Sequence, residues 1–174
     1  KSETTKVLYD SLRKFGLRVD VQQEGAEVRN YVSRDTAEYN IATFTYALNL
    51  LLHYSNTAET DVVIFNRCLF DFYIWQEYWY TKNRLSLEEK NIFQSFALSR
   101  LLVNKIDLCL FMTCEPEEAM RRAQRVSLTE RKGGTTNPQT IKVLVDRYKT
   151  VFAKLTPQFQ QLECRDTTKL NENQ

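Results

Sequence analysis

Apolar residues recur along this chain with two periods, and the two periods alternate. Leu8, Leu12 and Phe15 return at helical spacing among Lys, Asp and Arg, and Gly16 stands where a helix over residues 3–15 would end. Leu17, Val19 and Val21 then alternate with Arg18 and Asp20, the period of a strand, with Glu24 and Gly25 at its carboxyl end. Asp35 or Thr36 is placed to cap a helix of about twenty residues ending near Ser55. Ile41, Phe44, Ala47, Leu50 and Leu51 spread apolar character around that helix and predict that it is largely buried. Val62–Phe65 is a short unbroken apolar run, the pattern of a strand covered on both faces, and Asn66-Arg67 stands at its end. An aromatic helix over 69–80 follows, then a helix starting near Ser86, where Glu88 and Glu89 add first-turn negative charge. The spacing predicts a second apolar strand over 106–112, a helix over 116–124 opened by Pro116, and a last helix over 138–154. Leu162 falls in a final short strand. No repeat or interdomain linker interrupts the pattern, which predicts one domain over 1–165 and a polar tail over 166–174.

Strands alternating with helices predict an α/β domain built on a parallel sheet. Such sheets bind ligands outside the carboxyl ends of their strands. Glu24 and Asn66-Arg67 then share one rim, a convergence that follows from pattern alone.

Composition narrows the chemistry. With 24 Lys and Arg against 22 Asp and Glu, the net charge is +2, so no broad nucleic-acid face is expected. No apolar run approaches the ~20 residues of a membrane span, and the polar opening residues 1–6 predict no secretory leader. The four cysteines, Cys68, Cys109, Cys114 and Cys164, have no C-x-x-C spacing, as expected of free thiols in a reducing intracellular or cytoplasmic compartment. A single histidine, His53, lies in an apolar helical stretch, which disfavours Ser-His-Asp or Cys-His hydrolysis and most zinc chemistry.

The front of the chain suggests what replaces them. Lys1-Ser2 opens the first helix, the place of the last two residues of G-x-x-x-x-G-K-[ST]. In that motif backbone N–H groups cradle phosphates, the lysine neutralises β/γ charge and the hydroxyl ligates magnesium. The chain has no initiator methionine and only 4 glycines in 174 residues, against a usual ~7%, so a strand and glycine loop are expected to precede Lys1.

The segments "KSETTKVLYDSLRKFGLRVDVQQEG", "DVVIFNRCLFDFYIW", "IDLCLFMTCEPEEAMRRAQR" and "TNPQTIKVLVDRYKTVF", taken in order, resemble the nucleoside and nucleotide kinases of the P-loop class, deoxynucleoside and thymidylate kinases among them. The resemblance covers most of the chain. It implies a three-layer P-loop fold with a central parallel sheet and an arginine-rich lid, and an ATP- and Mg²⁺-dependent phosphotransferase. The acceptor is a small molecule, with a nucleoside or nucleotide as the family's usual choice. A homodimer is compatible with it. Two departures stand out. The family's acid before the strand-end arginine is Asn66 here, and the glycine loop is absent from this sequence.

Each candidate residue has a chemical reason. Lys1 would meet the β/γ phosphates and Ser2 would hold Mg²⁺. Glu24 could take the proton of an acceptor hydroxyl, with Glu27 a weaker competitor. Arg67 could hold a phosphoryl group through its planar fork, or pair structurally with Asp71, which could itself reach a substrate hydroxyl. Arg121, Arg125 and Arg131, with Arg122 and Lys132, form the lid set that would close over a triphosphate. Within the aromatic cluster over 70–80, Tyr73 and Trp75 are the candidates to stack on a base, while core packing accounts for most of the cluster.

Two alternatives remain beside the kinase. One is a catalytically degenerate nucleotide-binding or interaction module, favoured by Asn66. The other is a GTPase, since Asn104-Lys105-Ile106-Asp107 spells N-K-x-D. Against the GTPase, the better apolar run follows the motif instead of leading into it, and no glycine is preceded by aspartate at D-x-x-G spacing.

Overall fold

A computed structural model describes residues 2–29, 31–126 and 137–170, with the side chains of 2, 3 and 123–126 left out. The chain divides into two compact units, Lys1–Lys105 and Ile106–Gln174.

The first unit runs α1 (Ser2–Lys14), β1 (Val19–Gln22), α2 (Gly25–Val28), α3 (Ala37–Tyr54), β2 (Val62–Phe65), α4 (Leu69–Thr81), α5 (Leu87–Ala97) and α6 (Arg100–Val103). Gly16 ends α1 at φ +85°, a left-handed turn that a side chain resists. β1 and β2 pair in parallel, Val19 with Val62 through Gln22 with Phe65. Parallel neighbours need a crossover, which α2 and α3 supply. Arg18 clasps the entry to both strands, with Nη2 2.7 Å from Asp61 Oδ1 and its backbone N–H donating to Asp61 Oδ2 at 2.8 Å. That clasp lowers the Asp61 carboxyl to about 2.

Thr36 caps α3, its hydroxyl accepting from the Tyr39 N–H at 3.3 Å. The buried positions of α3 are Ala37, Asn40, Phe44, Ala47 and Leu51, a single stripe at helical spacing. The helix is therefore amphipathic, not buried all round, and His53 lies exposed in its last turn. That stripe packs on α4, which is the unit's central helix: Leu69, Phe70, Phe72–Gln76, Tyr78 and Trp79 are all buried. α5 covers another side of α4 and opens on a capping box. Ser86 Oγ accepts from the Glu89 N–H at 3.1 Å, and Glu89 Oε2 accepts from the Ser86 N–H at 2.7 Å.

The second unit runs β3 (Cys109–Thr113), α7 (Pro116–Val126), α8 (Pro138–Leu155) and β4 (Leu162–Asp166). β3 and β4 also pair in parallel, Cys109 with Leu162 through Thr113 with Asp166. α8 packs on them by placing Tyr148 and Phe152 edge-on against Phe111, at ring-centre distances of 6.0 and 5.5 Å. Asn137 caps α8, accepting from the Thr140 N–H at 2.8 Å with Pro138 in the first turn. Beyond β4, Thr167 is buried, and its N–H and hydroxyl both donate to the Thr113 carbonyl.

Among the described residues the strands thus form two two-stranded parallel sheets instead of one central sheet. β2 has β1 on one edge only, and its four residues are half-buried, short of the full cover that an apolar run suggests. α2 and α6 are additions that periodicity missed, because four residues are too few to show a helical repeat. The Leu87 helix stops at Leu98, and Ser99 starts a new one. β3 begins at Cys109, three residues later than the apolar run at Ile106. The four cysteines are free thiols. No helix among the described residues is long and apolar enough to cross a membrane.

Candidate functional site

Because β1 and β2 run in parallel and in register, Gln23-Glu24 and Asn66-Arg67 leave the sheet on the same edge. They frame a cavity of about 30 Å³ whose other walls come from α3 and α4. Glu24 occupies the N-cap position of α2, but its side chain caps nothing there. Instead Oε1 accepts from Arg67 Nε at 2.6 Å, a charge-assisted contact. Arg67 Nη1 lies 3.7 Å from Asp71 Oδ2, one turn along α4. Arg67 is 38% exposed, while Glu24 and Asp71 are 18% and 17%, so the cation forms the outer side of the cluster.

Gly25 sets this geometry. A Cβ built on it would lie 2.8 Å from the Thr43 carbonyl oxygen, so only glycine lets α2 approach α3 this closely. That approach carries Glu24 to the cavity. Asn66 sits beside Arg67 and its Oδ1 accepts from the Thr5 hydroxyl at 2.9 Å, which ties α1 to the end of β2.

The inner wall is aromatic and amide. Phe44 of α3 and Phe72 of α4 stack at 3.9 Å with planes 9° apart. Asn40 lies one turn before Phe44 on the same stripe and also lines the cavity. Tyr39 borders it as well; burial raises its hydroxyl, and the Arg34 and Arg67 charges partly offset this. Cys68 opens α4 at the cavity wall, where desolvation pushes its thiol up to about 12. A helix N-terminus ordinarily favours a thiolate, and here burial wins.

Of the residues expected from sequence, Glu24, Arg67 and Asp71 therefore meet in one cluster. Glu27 lies exposed on α2 and does not line the cavity. Tyr73 and Trp75 are buried in α4 on the sides that face away from it. Positions 68, 71 and 72 share the cavity face at helical spacing, and 73 and 75 do not. The aromatic residues that line it are Tyr39, Phe44, Phe65 and Phe72. A polar residue on an apolar stripe, Asn40 between Ala37 and Phe44, was the available signal for the α3 wall.

Lys1 and Arg131, with Lys132, lie outside the described residues, and the side chains of Ser2 and Arg125 are likewise not described. In the second unit Arg121 and Arg122 both grip Glu118 of their own helix. Arg121 does so through two bonds of 2.6 Å and Arg122 through one of 2.6 Å, which lowers the Glu118 carboxyl to about 2. Arg122 also donates to the Thr167 hydroxyl and carbonyl at 3.1 and 2.6 Å, so it pins the end of β4 to α7. Asn104 closes α6 and Asp107 precedes β3, so no strand leads into the N-K-x-D segment as guanine reading by a GTPase requires.

Mg²⁺ does not fit the described part of this rim. Glu24 and Asp71 are turned to Arg67, position 66 is a neutral amide, and no group of three His, Cys, Asp or Glu side chains is assembled among the described residues.

No family model matches the chain, and neither does any curated protein. Among solved structures, the chain is similar to a deoxyadenosine kinase from M. mycoides, in a structure with the products dCMP and a flexible dCDP bound. The TM-score is 0.69 at 16% sequence identity, over 97% of this chain and 86% of that one. At that identity the likeness concerns the fold: an α/β arrangement with parallel strands shared with a nucleoside kinase.

Proposed function

We propose that the cavity between β1, β2, α3 and α4 is the acceptor site of an ATP-dependent phosphotransferase, with a nucleoside or nucleotide as acceptor. The observation that carries this reading is the Glu24–Arg67 contact at the carboxyl ends of two parallel strands, above a wall of stacked aromatic rings. The pair provides the two functions that phosphoryl transfer asks of an acceptor site. Glu24 accepts the proton of the attacking hydroxyl. Arg67, on the more exposed side of the cluster, holds the phosphoryl group or its developing charge. Phe44 and Phe72 offer a flat apolar surface of the kind a base stacks on. ATP supplies the phosphoryl group when bound. The fold shared with an enzyme described as a deoxyadenosine kinase supports the nucleoside class.

The cavity as it stands has room for little more than water. An acceptor enters when Glu24 exchanges its contact with Arg67 for one with the substrate and the inner rings part. Such a rearrangement is ordinary for sites that close around substrate.

Asn66 supports a second reading, a nucleotide-binding module without turnover. Its carboxamide cannot take a proton, and its oxygen is already held by Thr5. ADP release from ATP–Mg²⁺, screened over nucleosides, nucleotides and other hydroxyl metabolites, separates the two. Acceptor-dependent release supports the phosphotransferase. ATP binding without it supports the module.

A further inference from the structure

Packing holds α1 only loosely. Val7 and Leu8 are 57% and 39% exposed, and Phe15, just past the end of the helix, is 83% exposed, so burial does little to fix α1 against the sheet. Its carboxyl end is anchored by the turn at Gly16, where the Leu17 N–H donates to the Leu12 carbonyl, and by β1. A polar contact places its amino-terminal half. Thr5 donates its hydroxyl to Asn66 Oδ1 at 2.9 Å, at a partly buried point. Among the described residues no other side chain of α1 hydrogen-bonds or ion-pairs with another element; Arg13, for one, bonds Tyr9 of the same helix. Asn66 and Arg67 make the bend between β2 and α4. Fixing that bend fixes where the Arg67 side chain starts. A carboxylate at position 66 would accept from Thr5 equally well, so the hydrogen bond alone does not call for an amide. Charge does. Glu24 and Asp71 already face Arg67, at 2.6 and 3.7 Å. A third carboxylate on the same bend would compete for the guanidinium and repel the other two. The neutral amide ties the bend to α1 and leaves the charge of the rim unchanged.

We infer that Thr5 and Asn66 are positioning residues of the acceptor site: their hydrogen bond makes α1 the brace that holds Arg67 at the cavity. This rests on the reading of the cavity as the acceptor site. Both residues act through Arg67, and neither is assigned a contact with the reacting atoms. One hydrogen bond between neutral groups contributes little to folding. A displacement of about 1 Å at a cation that must meet a phosphoryl group costs up to about a hundredfold in rate. Loss of the brace therefore registers in turnover before it registers in stability. Asn66 then has a use in an active enzyme: it serves as a hydrogen-bond acceptor for α1, at a place where a proton acceptor would disturb Arg67.

The test uses the full chain, ATP–Mg²⁺, and the common deoxynucleosides and their monophosphates as acceptors, with kcat and acceptor KM measured on the one turned over fastest. Thr5→Val removes the donor and keeps the shape of the side chain. It should lower kcat about tenfold or more, with acceptor KM within about threefold of wild type and Tm nearly unchanged. Asn66→Ala should do the same, and the double variant should lose no more than either alone. Thr5→Ser keeps the donor and should retain most of kcat. A second readout needs no substrate. Thr5→Val should speed phenylglyoxal modification of Arg67, read by peptide mass spectrometry against Arg18 as the internal reference, because a released bend loosens the guanidinium from Glu24. Should Asn66→Ala fail to fold, Thr5→Val decides through both readouts. Unchanged kcat in folded Thr5→Val, additive loss in the double variant, or Arg67 labelling at the wild-type rate overturns the inference while the functional reading stands. Absence of any acceptor-dependent turnover by the wild type overturns both.

Discussion

Arg67 faces two carboxylates at unequal distance, 2.6 Å to Glu24 and 3.7 Å to Asp71. On the proposed acceptor-site reading, the close partner is the one that exchanges with substrate, and the distant one, a turn along α4, keeps the guanidinium in place. Glu24→Gln keeps a hydrogen-bond acceptor for Arg67 but cannot take a proton. It should lower kcat about a hundredfold or more, with Tm little changed. If the loss appears in Tm and not in kcat, the pair is merely structural. Cys68 gives a second check on the environment. With its thiol pushed up to about 12, it should resist iodoacetamide at pH 8 in the folded protein and react after unfolding, as read by peptide mass spectrometry. Labelling of native Cys68 as fast as an unfolded thiol contradicts a desolvated wall. At this scale the strand-end residues were legible in the sequence, because a parallel pair must deliver Glu24 and Arg67 to one edge. Asn40 and Phe44 were not, since their place in the cavity depends on how α3 packs on α4. Tyr73 and Trp75 show the same limit from the other side: aromatic character was visible, but which face of a helix buried all round meets the cavity was not.

The elements hold the site through close backbone approach and through capping. Gly25→Ala puts a methyl against a carbonyl of α3, a neighbour that cannot rotate away. It should cost about 1–3 kcal/mol in chemical denaturation and weaken acceptor binding, because α2 carries Glu24. Full stability in that variant would contradict the tight α2–α3 contact. In the second unit, Glu118 links Arg121 and Arg122. Its carboxyl is lowered from 4.5 to about 2 in the folded chain, so the group contributes stability that is complete above 4.5 and disappears as pH falls towards 2. The stability difference between wild type and Glu118→Gln should therefore shrink across that window, and denaturant titrations at several pH values would show it. A difference independent of pH there means the arginines do not depend on the Glu118 charge. Helix boundaries with side-chain caps, Thr36, Ser86 and Asn137, could be anticipated from residue type. The break at Ser99 and the late start of β3 could not, because leucines at helical spacing continue across the first and Ile106 extends the apolar run before the second.

At the scale of the whole molecule, the alternation of strand and helix predicted parallel pairing, and both pairs are parallel. What pattern could not predict is that the four strands among the described residues make two pairs. A strand reads as apolar whether it has one neighbour or two, and β2 has one among the described residues. The likeness to a solved nucleoside kinase concerns the backbone fold alone, so the proposed activity rests on the Glu24–Arg67 cluster. The measurement that tests this most directly is transfer itself: γ-labelled ATP with Mg²⁺, a pool of nucleosides and nucleotides, and mass spectrometry of the labelled product. The account predicts a phosphorylated nucleoside or nucleotide that the wild type forms and Arg67→Ala does not. Label recovered only in ATP and inorganic phosphate, or equal product from Arg67→Ala, would contradict it.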